Sequence, residues 1–271
     1  MTASIHQRAL HPPAPDTSPS RAFLAVLGRD VFVTGKELPA FLAQVLIQPF
    51  LFLLVFVVVL GRGGFVSPGY GSVLLPGLLA LNAMFAALQA VALPLVFEFS
   101  WSREIDDRLL APMPIRLVAV EKIVFAALRG LIASLLMVPI GLLMIKVSWP
   151  ASGFLPGLLM LVLGAILGAT VGLVIGTAVQ PRRINILFSA ILTPVLFTGA
   201  VQYPWLTLGD LRWFQVVSAL NPLTYVSEGI RGSLVPHVPH LPFWLCVLLA
   251  SATSTLSALL GIRGFLRRAL D

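Results

Sequence analysis

Ser102-Arg-Glu-Ile-Asp-Asp-Arg-Leu-Leu-Ala-Pro112 is a short charged segment that separates two long apolar runs of the chain. Ser102 can cap a helix whose first turns carry three carboxylates, where the helix dipole favours negative charge. Ile105 and Leu109 lie four residues apart, so one face of this helix is apolar. Taken alone, such a charge run favours a solvated loop, because charged stretches usually are solvated. Between two membrane-spanning runs, the composition of the rest of the chain reverses this and predicts a short amphipathic helix that docks on a partner.

The composition of the 271-residue chain is that of a membrane protein. Hydrophobic residues make up 58% of it and charged residues 11%, and the mean hydropathy is +0.97. Soluble domains carry about 25% charged residues, so only a bilayer accommodates this much apolar surface. The chain is predicted to be an all-α polytopic membrane protein. Its single cysteine, Cys246, lies in an apolar run, and no disulfide within the chain is possible.

Apolar runs of about 20 residues, enough to cross hydrocarbon as a helix, recur along the chain. They predict six transmembrane helices at 41–60, 72–97, 123–145, 154–179, 184–201 and 243–261. Residues 1–20 are polar and rich in proline, which predicts a disordered cytoplasmic tail. Residues 21–39 mix charges with apolar residues at helical spacing, which predicts an amphipathic elbow helix at the interface. Residues 21–271 then form one transmembrane domain.

Lysine and arginine are distributed unequally between the two sides of these spans. With the N-terminus inside, the outer side holds only four of the 18 basic residues, namely Arg62, Lys146, Arg212 and Arg231. Basic residues concentrate in the cytoplasmic loops of membrane proteins. Both termini are therefore expected in the cytoplasm of a multi-pass protein of the plasma (inner) membrane. The net charge of +7 then faces anionic lipid head groups and needs no nucleic acid to explain it.

The fourth span carries glycines at a regular spacing of four: Gly164, Gly168, Gly172 and Gly176. They form one smooth ridge, which predicts close packing of another helix against it. Packing within the subunit is favoured over a seam with a second copy, although the motif reports proximity and not the identity of the partner.

The outer segment before the last span predicts a short helix. Asn221 is a suitable helix cap, and Pro222 suits the first helical position. Residues 223–234 are too few to cross a bilayer, so this helix is expected to be re-entrant or to lie on the surface. Glu228 and Arg231 lie three residues apart on it and can pair.

The sequence contains no catalytic constellation. It has no GxSxG or HExxH motif, and the loop residues His237 and His240 have too few neighbouring ligands for a metal site. The predicted spans hold no charged residue at mid-depth, and the deepest one, Arg129, is expected to snorkel inward. The lack of catalytic motifs disfavours a membrane-embedded transferase or protease. The lack of mid-depth charges disfavours an ion-coupled secondary transporter or channel, which is kept as the alternative function.

Four motifs, taken in order, carry a family resemblance. They are Pro76-Gly-Leu-Leu, Arg103-Glu-Ile-Asp-Asp-Arg-Leu-Leu-Ala-Pro-Met-Pro114, Leu192-Thr-Pro194, and Leu220-Asn-Pro-Leu-Thr-Tyr225 running on to Gly229-Ile-Arg-Gly232. With six spans around them, they resemble the permease subunit of type-2 ABC transporters, a group of exporters of drugs, lipo-oligosaccharides and polysaccharides. The resemblance covers the chain from about Arg21 to its end.

This resemblance implies several functional assignments. The cytoplasmic helix that couples to a separate ATPase would be formed by Arg103, Glu104, Ile105, Asp106, Asp107, Arg108 and Leu109. The re-entrant outer helices before the sixth span would contain Asn221, Pro222, Tyr225, Glu228 and Arg231. Two permeases, identical or close paralogues, would assemble with two ATPase subunits. ATP and Mg would bind to those partners, so no cofactor or catalytic residue is expected in this chain.

Polar residues inside the spans are candidates for lining a transport pathway. They are Gln44, Gln48, Asn82, Gln89, Thr193 and Thr198. The alternative, that each one bonds to a neighbouring helix, is equally open. A pathway without charges favours a hydrophobic or lipid-linked cargo, such as a drug, a glycolipid or a polysaccharide.

Overall fold

The computed structural model describes residues 18–99, 113–145, 147–179 and 183–270. Within them all the regular secondary structure is helical, and no strand occurs. The helices are α1 (Pro19–Lys36), α2 (Leu38–Arg62), α3 (Tyr70–Phe97), α4 (Ile115–Met144), α5 (Phe154–Ala178), α6 (Ile184–Thr198), α7 (Arg212–Leu220), α8 (Pro222–Leu234) and α9 (Phe243–Leu270). Most of the predicted tail and the predicted coupling helix at 103–109 lie outside the described residues.

Helix α3 is the centre of the bundle, and its side chains are mostly buried. It runs antiparallel to α4, and the two backbones approach closely because small residues face each other. A Cβ added at Gly130 of α4 would lie 2.3 Å from the carbonyl oxygen of Ala83. Ser134 of α4 donates a hydrogen bond of 2.9 Å to the carbonyl of Leu79. Such contacts replace the hydrophobic driving force that helices lack in lipid.

The described residues contain five helices that are long and apolar enough to cross a membrane: α2, α3, α4, α5 with its preceding turn, and α9. The chain is therefore a multi-pass helical membrane protein. The predicted span at 184–201 is present as α6, which has 15 residues. Such a helix rises about 22 Å, less than the roughly 30 Å of the hydrocarbon core. A count of six spans thus stays a prediction.

Two helices continue beyond the spans predicted from their apolar runs. Helix α4 begins at Ile115 and not at 123, so Glu121 and Lys122 lie inside it and are buried. Helix α9 continues to Leu270, past 261. There Arg268 donates a hydrogen bond of 3.1 Å to the carbonyl of Gly176, at the end of α5. Polar partners within the protein let both helices extend past the hydrophobic segment.

Helix α1 covers most of the segment predicted as an elbow helix. Its buried residue is Ala22, whereas Leu24 and Phe32 are 64% and 63% exposed. This apolar exposure is consistent with a helix lying on lipid, and its place at a membrane surface stays a prediction.

Helices α7 and α8 form the outer pair that precedes the last long helix. Helix α8 lies between α3, α5 and α9, and ten of its 13 residues are buried. This burial disfavours the surface-lying alternative, and a re-entrant position stays a prediction. Helix α7 differs, since Trp213, Val216 and Leu220 are exposed.

Candidate functional site

A polar groove runs along α2, α3 and α4 and consists of three adjoining cavities. The central cavity has a volume of about 190 Å³ and lies between these three helices. A second cavity of about 240 Å³, the α1-end cavity, shares Phe41, Gln44 and Arg129 with it. A third of about 250 Å³, the α6 cavity, shares Gln48 and Gln89 with it. The shared residues make the three cavities one groove through an otherwise apolar bundle.

Most residues proposed for the pathway line this groove. Those in the central cavity are Gln44, Gln48, Asn82 and Gln89, and Thr193 lines the α6 cavity. Thr198 lines none of the three; its hydroxyl donates to the carbonyl of Pro194 and accepts a hydrogen bond from Asn221.

Some of these residues also bond between helices. The amide of Asn82 donates a hydrogen bond of 2.9 Å to the carbonyl of Ala133 on α4. Gln44 of α2 donates one of 3.2 Å to Gln89 of α3. An amide has enough donors and acceptors to join two helices and still face a cavity, so these bonds leave a role in a pathway open as a prediction.

Arg129 is the residue of this groove that sequence reasoning missed. It lines both the central and the α1-end cavity. Its guanidinium lies 4.8 Å from the ring centroid of Phe41 and 5.9 Å from that of Phe125. Because α4 begins at Ile115, Arg129 lies about four turns into the helix. It places a positive charge in the wall of the groove that holds most of the candidate pathway residues, whose role in a pathway stays a prediction.

The α1-end cavity also holds a buried ion pair. The Nζ atom of Lys122 lies 2.6 Å from one carboxylate oxygen of Glu98 and 2.8 Å from the other. Both side chains are less than a tenth exposed. The contact joins the end of α3 to α4, and it explains how a lysine predicted to lie outside the third span is buried in α4.

At the opposite end of the bundle, Arg231 of α8 is completely buried. Its Nη1 atom donates to the carboxylate of Glu228, one turn earlier on the helix. Its Nη2 atom donates 2.8 Å to the carbonyl of Ala200, and its Nε atom donates 3.3 Å to that of Val73. One guanidinium therefore ties α8 to the start of α3 and to the chain that follows α6.

Glu228 is equally buried and completes this cluster. Its carboxylate accepts hydrogen bonds from the backbone N–H of Trp205, at 3.0 Å, and of Leu241, at 3.1 Å. Both charges are thus paired and hydrogen-bonded, the arrangement in which a buried ion pair is tolerated. We name Glu228, Arg231 and the backbone groups they bind the outer clamp.

The start of α8 follows from its Asn-Pro pair. The side-chain oxygen of Asn221 accepts a hydrogen bond of 3.0 Å from the N–H of Leu223, and Pro222 occupies the first helical position. The amide of Asn221 donates 2.8 Å to the carbonyl of Val195. Tyr225 donates 2.6 Å to the carbonyl of Ala219 at the end of α7. Asn221 therefore anchors α8 to α6, and Tyr225 anchors it to α7.

The glycines of α5 pack inside this chain. A Cβ at Gly168 would lie 2.0 Å from the Met84 carbonyl oxygen, and one at Gly172 would lie 2.6 Å from that of Leu88. The other two glycines face side chains. A Cβ at Gly164 would lie 2.7 Å from Val226 of α8, and one at Gly176 would lie 3.0 Å from Leu95 of α3.

The comparisons with known proteins agree with this architecture. The family model described as ABC-2 type transporter matches residues 21–235, which confirms the resemblance carried by the motifs. The chain is 27% identical over 209 residues to the inner membrane transport permease YadH of Escherichia coli K12, covering 73% of this chain and 80% of that protein. It is 26% identical over 226 residues to the putative transport permease ycf38 of Cyanophora paradoxa, covering 77% and 72% respectively. This chain therefore belongs to the ABC-2 type transporter family of membrane transport permeases.

Proposed function

We propose that this chain is the membrane-spanning subunit of an ABC exporter that moves a hydrophobic or lipid-linked substrate outward across the inner membrane. The polar groove carries the proposal. Burying a polar side chain inside a membrane costs free energy, and such residues commonly mark the pathway of a substrate or an ion. A drug, a glycolipid or a lipid-linked polysaccharide fits a groove that mixes amides with apolar residues.

Energy would come from a separate ATPase subunit that binds ATP and Mg. The charged segment at 103–109, which follows α3 and precedes α4 in the chain, is the proposed docking element. The complex would hold two copies of the ATPase and two permeases, either identical or close paralogues.

An ion-coupled secondary transporter or a channel is the second candidate. The observation that favours it is the presence of Arg129 and the Glu98–Lys122 pair in the groove, since ion-coupled proteins use charges at such positions. The two candidates differ in their energy source, because only the first needs nucleotide hydrolysis on a partner.

The test is co-purification of the chain with an ATPase subunit, followed by removal of the docking charges. We expect replacement of both Glu104 and Arg108 by Ala to leave the protein level unchanged, because the pair is expected to lie in water. Nucleotide hydrolysis by the complex should then become uncoupled from transport. Replacing Arg29 and Lys36 by Ala, an exposed pair on α1, is the control. Normal transport by the Glu104/Arg108 double variant would contradict the docking role.

The proposed orientation makes a separate prediction. His237 is exposed between α8 and α9, and Cys246 is buried. In a Cys246→Ala background, we expect His237→Cys to react with a membrane-impermeant maleimide in intact cells. Arg29→Cys, exposed on α1, should react only after the membrane is permeabilised. The reverse pattern would overturn a cytoplasmic N-terminus.

A further inference from the structure

We infer that the central cavity binds the anionic head group of an amphiphile, and that Arg129 is the residue that recognises it. This inference rests on the proposed transport function and narrows its substrate class. It starts from the charge of the cavity wall. Among the described residues that line the central cavity, Arg129 is the only charged one.

The guanidinium keeps a buried hydrogen-bond donor available for an anion, although the Glu37 carboxylate acts on it electrostatically. A charged side chain deep in a membrane protein usually pairs with an opposite charge or with backbone carbonyls. Arg129 instead lies over the rings of Phe41 and Phe125, and within the described part of the chain its buried Nε–H has no hydrogen-bond partner. A guanidinium presents its donors in a planar fork that matches a phosphate or a carboxylate.

The remaining wall of the cavity suits a head group joined to an apolar tail. The amides of Gln44, Gln48 and Gln89 supply further donors, and Phe85 and Leu93 supply apolar surface. The volume of about 190 Å³ is below the roughly 300–1,000 Å³ of pockets that enclose a whole drug-sized ligand. The cavity therefore suits the head group, and the apolar tail would extend along the helices beside it.

Glu37 supplies an opposing charge with a testable consequence. It lines the α1-end cavity beside Arg129, and its carboxylate is close enough to act electrostatically on that guanidinium. Lys122 cannot offset it, because Lys122 is already paired with Glu98. A bound anion is thus attracted by Arg129 and repelled by Glu37, so neutralising the two residues should have opposite effects.

The experiment is equilibrium binding of radiolabelled octyl phosphate to the purified full-length chain in dodecyl maltoside micelles, with empty micelles subtracted. We expect Arg129→Gln to weaken binding by at least about tenfold, as loss of a charge-assisted hydrogen bond does. Arg129→Lys should retain part of the affinity, and Glu37→Gln should increase it. Arg263→Gln, which removes an exposed arginine of α9, is the matched control and should bind like wild type.

Competition identifies the ligand class. Unlabelled octyl glucoside, with the same tail and a neutral head, should not displace the probe, and inorganic phosphate should do so only at far higher concentration. Wild-type binding by Arg129→Gln, or equal displacement by either competitor, would overturn the inference. If Arg129→Gln does not fold, the test uses Arg129→Lys and Glu37→Gln instead. Unchanged affinity for octyl phosphate in both variants would also overturn the inference. The assay needs no ATPase, so failure of the ATPase to co-purify would refute the exporter and leave this site standing.

Discussion

Replacing Arg231 by Gln should destabilise the protein by about 3–5 kcal/mol, whereas replacing Glu228 and Arg231 together should cost clearly less than the sum of the two single changes. Both side chains are completely buried, so neither can be solvated when its partner is removed. The expected result for Arg231→Gln is little folded protein in the membrane.

The size of this effect follows from the number of groups left unsatisfied. Without Arg231, the Glu228 carboxylate stays buried with only backbone donors. The carbonyls of Val73 and Ala200 each lose the guanidinium N–H that donates to them. In Glu228→Gln the situation is reversed, because a buried guanidinium loses its counter-charge. The double variant leaves no unpaired charge, which is why the two losses do not add.

The measurement is a double-mutant cycle on thermal stability in detergent, read as the fraction of protein that remains monodisperse after heating. Arg212→Gln is the control, because Arg212 is exposed at the same end of the molecule and should leave stability unchanged. Additive losses of thermal stability in the cycle would show that Glu228 and Arg231 do not stabilise each other. The backbone hydrogen bonds alone would then account for the stability of the outer clamp.

The second large effect is expected at Gly168, where even alanine should be harmful. The added Cβ would lie 2.0 Å from the Met84 carbonyl oxygen, and this neighbour is backbone that cannot rotate away. We expect Gly168→Ala to destabilise the protein by about 1–3 kcal/mol, and Gly168→Leu to prevent its accumulation, because α3 and α5 would have to separate.

The glycines themselves provide graded controls. At Gly176 the nearest atom is a Leu95 side-chain methyl at 3.0 Å, which can move, so Gly176→Ala should be milder than Gly168→Ala. Gly28 of α1 has nothing within 4 Å, so Gly28→Ala should be neutral or stabilising by up to about 1 kcal/mol. Yield of monodisperse protein ranks the three variants. Equal yields for all of them would mean that α3 and α5 do not pack as closely as the structure has them.

Local sequence is sufficient for the features that depend on one segment at a time. Long apolar runs require α2, α3, α4, α5 and α9, because only a helix satisfies its own backbone within lipid. Asn221 and Pro222 start α8 through a cap that involves only the next two residues. The spacing of the α5 glycines likewise predicts a smooth face, since it depends only on the helical repeat.

The tertiary structure decided which faces of these helices meet. Arg129 enters the groove, α8 inserts between α3, α5 and α9, and Arg231 reaches the carbonyl of Val73, which is 158 residues away in the chain. Sequence periodicity could not predict these contacts, because a membrane helix is apolar on every side and its buried face therefore carries no distinct pattern. The direction in which each polar side chain points is set by close packing and by hydrogen bonds between distant segments, and these form only when the helices assemble.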